Sequence, residues 1–399
     1  MTYFQVQFAK QTQMTFGTKR ALTVFTVLLY VLFILIKVGA GNFDVSRLII
    51  AGDRFVNESA LTHPIYVLKH SDGYDGQFYY RLALNPLTHE RIQYGITLDH
   101  PEVRSQRILY PATVWLLSLG NAYLIPYFLV ILNIASLGVI CWVSLLLCEQ
   151  LGVRPEFGLL IPFYPGFVLS LVRDTAEIYA VLFAMCAVYA ALNRKHVPAA
   201  MLAVAAILVR ETTLFYLAGF GVAILLASIK RRKVDPSLWF YLVPPAVLIL
   251  WHLILLHAWG TLPLSKLSSD DFTFPPLVDF FQAGSIAFHD FTSKGHLLRH
   301  AYNALSLIAV AAFVLTVTWN IASRKVRHPS LVYSWGFYFT LLLFFSIAIW
   351  TEPFGYLRIL CDLYVLGCLT LISSRHDTIL RNLLYSVTPL WLITCIYAL

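Results

Sequence analysis

The chain has 399 residues, of which 59% are hydrophobic and only 13% charged, with a mean hydropathy of +0.71. A soluble domain carries about twice that share of charge, so these proportions exclude a water-soluble enzyme and make a membrane the solvent. The formal net charge of +8 would suggest nucleic acid in a soluble protein, but here the basic residues fall in short clusters between apolar segments, which reads as topology.

A helix needs about 20 apolar residues to cross roughly 30 Å of hydrocarbon. Runs over 21–36, 123–147, 212–229, 237–259, 301–322, 330–350 and 382–398 meet that condition. Lys19-Arg20 precede the first run, whose end at Val38-Gly39-Ala40 resembles a signal-peptide cleavage site. The many later spans favour an uncleaved first helix over 21–40. The sequon Asn57-Glu58-Ser59 carries little weight, because one such triplet in a chain of this length is close to chance.

Charged clusters between the runs sort into two kinds. Lys19-Arg20, Arg194-Lys195, Lys230-Arg231-Arg232-Lys233, Arg324-Lys325-Val326-Arg327 and Arg375 with Arg381 are basic, and therefore cytoplasmic by the positive-inside rule. Arg173-Asp174 with Glu177, Arg210-Glu211, and Glu352 with Arg358 alternate with them and pair an acid with an arginine. They fall on the outer face, which also receives segments 41–106 and 260–296. For this alternation to hold, 107–147 must contain one crossing preceded by an interfacial helix near 107–119. The expected fold is all-α, a polytopic transmembrane bundle of about eleven crossings. It is one integral membrane domain over 1–399: first helix 21–40, outer loop 41–106, core helices 107–259, second outer loop 260–296, and C-terminal helices 297–399. Pieces such as 157–172 and 197–209 are short for full spans and are expected to tilt or stop part-way. The loop 260–296, with Asp270-Asp271, Phe272 and Phe274, has the length of a lid or acceptor site, although its aromatics can equally anchor it at the interface. The six cysteines show no ligand spacing and read as packing residues.

Candidate chemistry concentrates in the first outer loop, at Asp72-Gly73-Tyr74-Asp75-Gly76-Gln77-Phe78-Tyr79-Tyr80-Arg81. Two carboxylates three residues apart, each followed by glycine, suggest a tight turn that offers an acid to a ligand, where it can serve as general base on an incoming hydroxyl. The competing reading is a plain turn with an aspartate capping a helix. The outer arginines Arg81, Arg104, Arg107, Arg173, Arg210 and Arg358 form a second group. Arginine's planar fork suits a lipid phosphate at this depth, but ion pairing with Asp174 or Glu211 accounts for the same residues structurally.

Tyr74-Asp75-Gly76-Gln77-Phe78-Tyr79 with Leu82-Ala83 resembles the Trp-Asp-Gly-x-x-Tyr-x-x-Ile-Ala motif of the GPI second-mannosyltransferase group and its bacterial relatives. That group lies within the GT-C glycosyltransferases, integral membrane enzymes that use polyprenyl-phosphate-linked sugars. Ile108-Leu109-Tyr110-Pro111 resembles the group's Phe-Phe-Pro-Leu-Tyr-Pro stretch. Phe163-Tyr164-Pro165-Gly166-Phe167-Val168 with Arg173-Asp174-Thr175-Ala176-Glu177 is similar to its Asn-Pro-Ala-Ser-Val and Ser-Glu-Ser block, and Arg210-Glu211-Thr212 stands in the place of its Arg-Ser-Asn. Tyr74 replaces the tryptophan. The set also looks like bacterial membrane proteins linked to cell-surface glycopolymer formation.

The resemblance implies a GT-C-like bundle in a bacterial inner membrane, with its site facing the periplasm. The implied reaction is an inverting transfer from a polyprenyl-phosphate sugar donor to a hydroxyl of a lipid or glycan acceptor, with membrane lipids as neighbours and no nucleic-acid partner. It makes Asp75 the base, with Asp72 as second catalytic acid, and puts Arg210 and Arg358 at the donor phosphate, with Arg107 and Arg173 as further candidates. Substrate contacts fall to Gln77, Tyr79, Tyr80, Arg81, Tyr110, Asp174, Glu177, Glu211 and Glu352; no metal ligand is assigned, and a divalent cation is a candidate cofactor only. The tyrosines can stack on a sugar ring or belong to an aromatic belt. A transporter or lipid flippase and a non-catalytic assembly subunit are the rival readings. The first needs polar groups near the bilayer midplane; the second tolerates loss of Asp75.

Overall fold

Helix makes up 73% of the structure, more than double the share in soluble domains. A computed structural model describes residues 14–266, 272–291, 297–323 and 326–399. Asp270-Asp271 and Arg324-Lys325, which the sequence assigns to opposite faces, lie outside the described residues.

Helix α1 (Phe16–Gly39) opens at Thr15, whose Oγ1 accepts from Thr18 N at 3.2 Å. The first outer segment then folds into a small cap. Strand β1 (Ala51–Gly52) pairs in parallel with β2 (Val67–Leu68), α2 (Gly76–Leu84) follows, β3 (Ile92–Gln93) pairs antiparallel with β4 (Ile96–Thr97), and α3 (Pro101–Gln106) closes the segment. Next come α4 (Leu109–Ser118) and α5 (Ile125–Leu151). At 10 and 27 residues, only the second has the length to cross.

The chain continues through α6 (Pro165–Leu171), α7 (Glu177–Leu192), α8 (His196–Val209), α9 (Leu214–Arg231) and α10 (Leu238–Trp259). Beyond these lie α11 (Val278–Phe291), α12 (Leu297–Ala322), α13 (Pro329–Leu342), α14 (Ile347–Trp350), α15 (Pro353–Ile359), α16 (Cys361–Ser374) and α17 (Asp377–Ala398). Proline opens α6, α13 and α15, where its missing N–H has no helical partner to lose. Among the described residues six helices are long and apolar enough to cross a membrane: α1, α5, α9 with its preceding turn, α10, α12 and α17. A seventh is added if the bent pair α15 and α16 counts as one span. Helix α5 is central, with 61% of its apolar window buried, whereas α10 has 22% and turns Leu242, Ile249, Leu250 and Leu253 outward. Such apolar surface requires lipid around it.

Side-chain contacts identify the two ends of the bundle. Lys19 Nζ meets Glu149 Oε2 at 2.8 Å, Asn193 Nδ2 donates to Gln150 Oε1 at 3.2 Å, and Arg375 Nε donates to Leu151 O at 2.6 Å. These gather the basic clusters around 19, 194 and 375 at one end. The acid and arginine pairs, described below, sit at the other.

Two expectations need correction. The run 330–350 is not one helix. It breaks after Leu342 because segment 272–279 is stitched into it: Thr273 N donates to Phe344 O at 2.8 Å, Leu277 N to Leu343 O at 2.7 Å, and Ile347 N to Asp279 Oδ2 at 2.6 Å. For the same reason the described part of 260–296 is structural packing against α13 and α14, with α11 running beside α12, and not a free lid.

The bend between α15 and α16, 47°, also has a physical cause. Carbonyls freed there are satisfied by side chains: Leu357 O accepts from the Tyr164 hydroxyl at 2.6 Å, and Ile359 O from the Tyr338 hydroxyl at 2.6 Å. Arg358 stands between those two carbonyls.

Candidate functional site

Asp75 ends a turn that the sequence builds from glycine. Gly73 has φ +67°, a conformation open to glycine at little cost. At Gly76 an added Cβ would lie 2.5 Å from Arg173 O and 2.6 Å from Ile49 O, so only glycine lets the cap meet the bundle there. Gln77 pins the turn: its Oε1 accepts from Gly52 N at 3.0 Å and its Nε2 donates to Asp72 O at 2.8 Å.

The turn sets aside the capping reading of Asp75. Although Asp75 occupies the N-cap position of α2, its carboxylate makes no capping hydrogen bond. Instead Oδ1 accepts from Arg104 Nη1 and Oδ2 from Arg358 Nη1, both at 2.7 Å. Each arginine holds a second acid. Arg104 makes a fork to Asp99 at 2.8 and 2.7 Å, and Arg358 Nη1 reaches Glu177 Oε1 at 2.9 Å. Burial raises the proton affinity of Asp75, but the guanidinium groups of Arg104 and Arg358, with Arg107 further off, outweigh it and hold the carboxyl far below the usual carboxylate range. Asp99 is lowered in the same way, burial being outweighed by Arg104.

The cluster extends both outward and inward. Arg107 forks onto Glu211 at 3.2 and 2.8 Å near the rim. Arg210 lies deeper, 3.5 Å from Asp362 and 3.2 Å from Cys361 Sγ, and Asp362 also accepts from Thr212 Oγ1 at 2.7 Å. Side-chain exposure falls from 29% at Glu211 through 18% at Asp75 to 0% at Asp362, so the outer part is reachable from solvent and the inner part is not. Arg173 differs from these. Its guanidinium stacks 4.0 Å from the Tyr74 ring centroid and 3.8 Å from that of Phe354, and among the described residues it has no ion pair. Arg358 lies 4.9 Å from the same Tyr74 ring, so the aromatic at position 74 is a platform for guanidinium groups.

Thus Asp75, Glu177, Glu211, Arg107, Arg173, Arg210 and Arg358 come together from the cap, the 107 turn, the turn between α6 and α7, the start of α7, the turn before α9 and α15. Others that the sequence pointed to stand apart. Asp72 forms an exposed pair with Arg54 at 2.9 Å, and Glu352 an exposed pair with Arg299 at 2.6 Å. Gln77 is fully buried in its structural clamp. Arg81 is buried in the cap, where it donates to Thr88 Oγ1 at 3.1 Å and Gln93 Oε1 at 2.8 Å; burial pulls it down to about 10. Tyr80 is also buried in the cap, its hydroxyl without a partner among the described residues. Tyr79 packs edge-on against Tyr110 but borders the cluster through Arg107, whereas Tyr110, whose hydroxyl donates to Leu129 O at 3.0 Å, is core. Asp174 is buried with both carboxyl oxygens unpaired and a backbone φ of +46°. Sequence reasoning assigned no role to Asp99 or Asp362, and gave Arg104 none beyond membership of the outer arginines. An acid inside an apolar helix was the available signal for Asp362.

Most of the clustered carboxylates face arginines, not one another, and among the described residues no group of His, Cys, Asp and Glu has the makings of a metal site. An apolar groove of about 380 Å³ is lined by Tyr164, Ala312, Phe313, Leu357, Leu360 and Leu383 among others, and none of the clustered charged residues lines it. Its size suits one chain of a ligand, and Leu357 and Leu360 flank Arg358. Comparisons with protein-family models, curated proteins and solved structures found no match to this chain.

Proposed function

We propose that this chain is a membrane glycosyltransferase of GT-C-like architecture, with about eleven crossings, which moves a sugar from a polyprenyl-phosphate donor to an acceptor hydroxyl on the outer face. The setting is a bacterial inner membrane, with the site facing the periplasm, and the product belongs to a cell-surface glycopolymer or glycolipid. The observation that carries the reading is the Asp75 carboxylate: it makes no capping bond to its own helix, stays reachable from solvent, and is held between Arg104 and Arg358.

In this reaction the acceptor oxygen bonds to the anomeric carbon while the bond from that carbon to the phosphate oxygen breaks. The hydroxyl proton passes to Asp75 and the electron pair leaves on the phosphate. Charge develops on that phosphate as the bond breaks, so Arg358 and Arg173 stabilise the transition state more than the ground state. The groove beside Arg358 is the right chemistry for the isoprenoid chain.

The test is transfer from a panel of radiolabelled polyprenyl-phosphate sugars, with wild type and Asp75→Asn compared in purified, folded form. Transfer by wild type alone supports the reading. Transfer by both removes Asp75 from the base role, and transfer by neither moves the assignment to the transporter or assembly-subunit alternative.

A further inference from the structure

We infer that the donor's own phosphate arms the base: an anionic lipid phosphate entering beside Arg173 takes Arg358 from Asp75, and Asp75 becomes a proton acceptor only while that anion is bound. This rests on the glycosyltransferase reading and adds an order of events to it.

Three observations lead there. First, both Asp75 oxygens are occupied by charge-assisted bonds at 2.7 Å, so the carboxylate as it stands is a poor base. Second, Asp75 is the dispensable partner. If it lets go, Arg104 keeps its fork to Asp99 and Arg358 keeps Glu177. Arg358 has donor capacity left over, because one nitrogen, Nη1, serves both acids while its buried Nε has no partner among the described residues. Third, the local charges balance. Arg104, Arg173 and Arg358 match Asp75, Asp99 and Glu177, while Arg107 with Glu211 and Arg210 with Asp362 are neutral pairs. Arg173, stacked on Tyr74 and Phe354, brings the charge that no acid claims. One added phosphate charge leaves the cluster with a negative excess, which a proton on Asp75 cancels. Tyr74 and Tyr79, the phenols beside Asp75, are neutral, as is Asp174, whose carboxyl is pushed by burial well above its ordinary range, and Lys37 near Arg173 is bonded to the carbonyl oxygens of Ala398 and Leu399.

The consequence is an ordered cycle in which the donor binds before the base is competent. Without a lipid phosphate in place, neither water nor an acceptor meets a competent base, and the base appears with the leaving group it serves.

A hydrophobic carbodiimide, which reacts with protonated carboxyls, reads this directly. Full-length protein in nanodiscs is labelled at neutral pH with no addition, with a polyprenyl phosphate, with the matching polyprenol, or with inorganic phosphate, and Asp75 modification is measured by peptide mass spectrometry. Native mass spectrometry reports lipid binding in parallel. A several-fold rise with polyprenyl phosphate but not polyprenol supports the inference, and an equal rise with inorganic phosphate assigns the effect to the anion alone. Arg358→Lys, which weakens the grip on Asp75, should raise labelling before any addition, and Arg173→Gln should blunt the response to lipid phosphate. Polyprenyl phosphate that binds without changing Asp75 labelling overturns the inference and leaves the glycosyltransferase reading standing. No binding of polyprenyl phosphate overturns both.

Discussion

Replacing Arg358 by methionine keeps a long unbranched side chain and removes only the charge that Asp75 and Glu177 share. The two acids are not equally exposed to the loss. Asp75 is 18% exposed and retains Arg104 at 2.7 Å, whereas Glu177 is 2% exposed and retains no direct ion pair, only hydrogen bonds such as that from the Ser170 hydroxyl at 3.2 Å and the more distant charge of Arg210. Orphaning a buried charge costs about 3–5 kcal/mol, and nearly all of it should come from Glu177. Asp75→Asn leaves both arginines paired and should cost no more than about 2 kcal/mol, the worth of a hydrogen bond to a charged group. At about 2 °C per kcal/mol for a large domain, Arg358→Met should lower the melting temperature by roughly 6–10 °C in detergent. Arg358→Met with Glu177→Gln should recover much of that loss, because the orphaned charge is gone. A double variant no more stable than Arg358→Met would refute the argument that Glu177 bears the cost, as would equal losses from Arg358→Met and Asp75→Asn.

Three other outcomes follow from the geometry. The folded-state pKa of Asp75 is lowered, so its contribution to stability is complete above the unfolded value near 4 and is lost only as pH falls through the lower folded value. The stability gap between wild type and Asp75→Asn should therefore be the same at pH 5 as at pH 7, and a gap that closes over that interval would contradict the pairing. Gly76→Ala drives a Cβ into Arg173 O and Ile49 O and should lower both yield of folded protein and melting temperature, whereas Gly336→Ala, where an added Cβ meets nothing within 4 Å, should leave them unchanged. Ala312→Trp narrows the apolar groove and should raise KM for long-chain donors more than for short-chain ones at similar stability; an equal effect on both would detach the groove from the donor chain.

The long apolar runs were legible because burial in lipid leaves a plain mark, and most of their helices start and stop within a few residues of the runs. The break near 343 was not legible, since it depends on backbone donors from Thr273 and Leu277 and on Asp279, which lie more than sixty residues earlier. The site shows the same division. Composition and spacing singled out Asp75, Glu177 and Arg358 separately. Nothing local says that Asp75 turns away from its own helix toward an arginine 283 residues on. Asp72, Glu352 and Arg81 carried the same charge signal as the clustered residues, and only their position in the folded cap and rim separates them from the cluster.

The distance in sequence between Asp75 and Arg358 also bears on biogenesis. The cap with Asp75 emerges with the first helix, and Glu177 follows 102 residues later by their numbering, yet the arginine that joins them arrives only with α15. Until then the ribosome-bound chain carries its carboxylates without their shared partner. Truncation anywhere before α15 therefore yields a chain that lacks the arginine bridging its acids, so the assembled site reports that synthesis and insertion have passed α15.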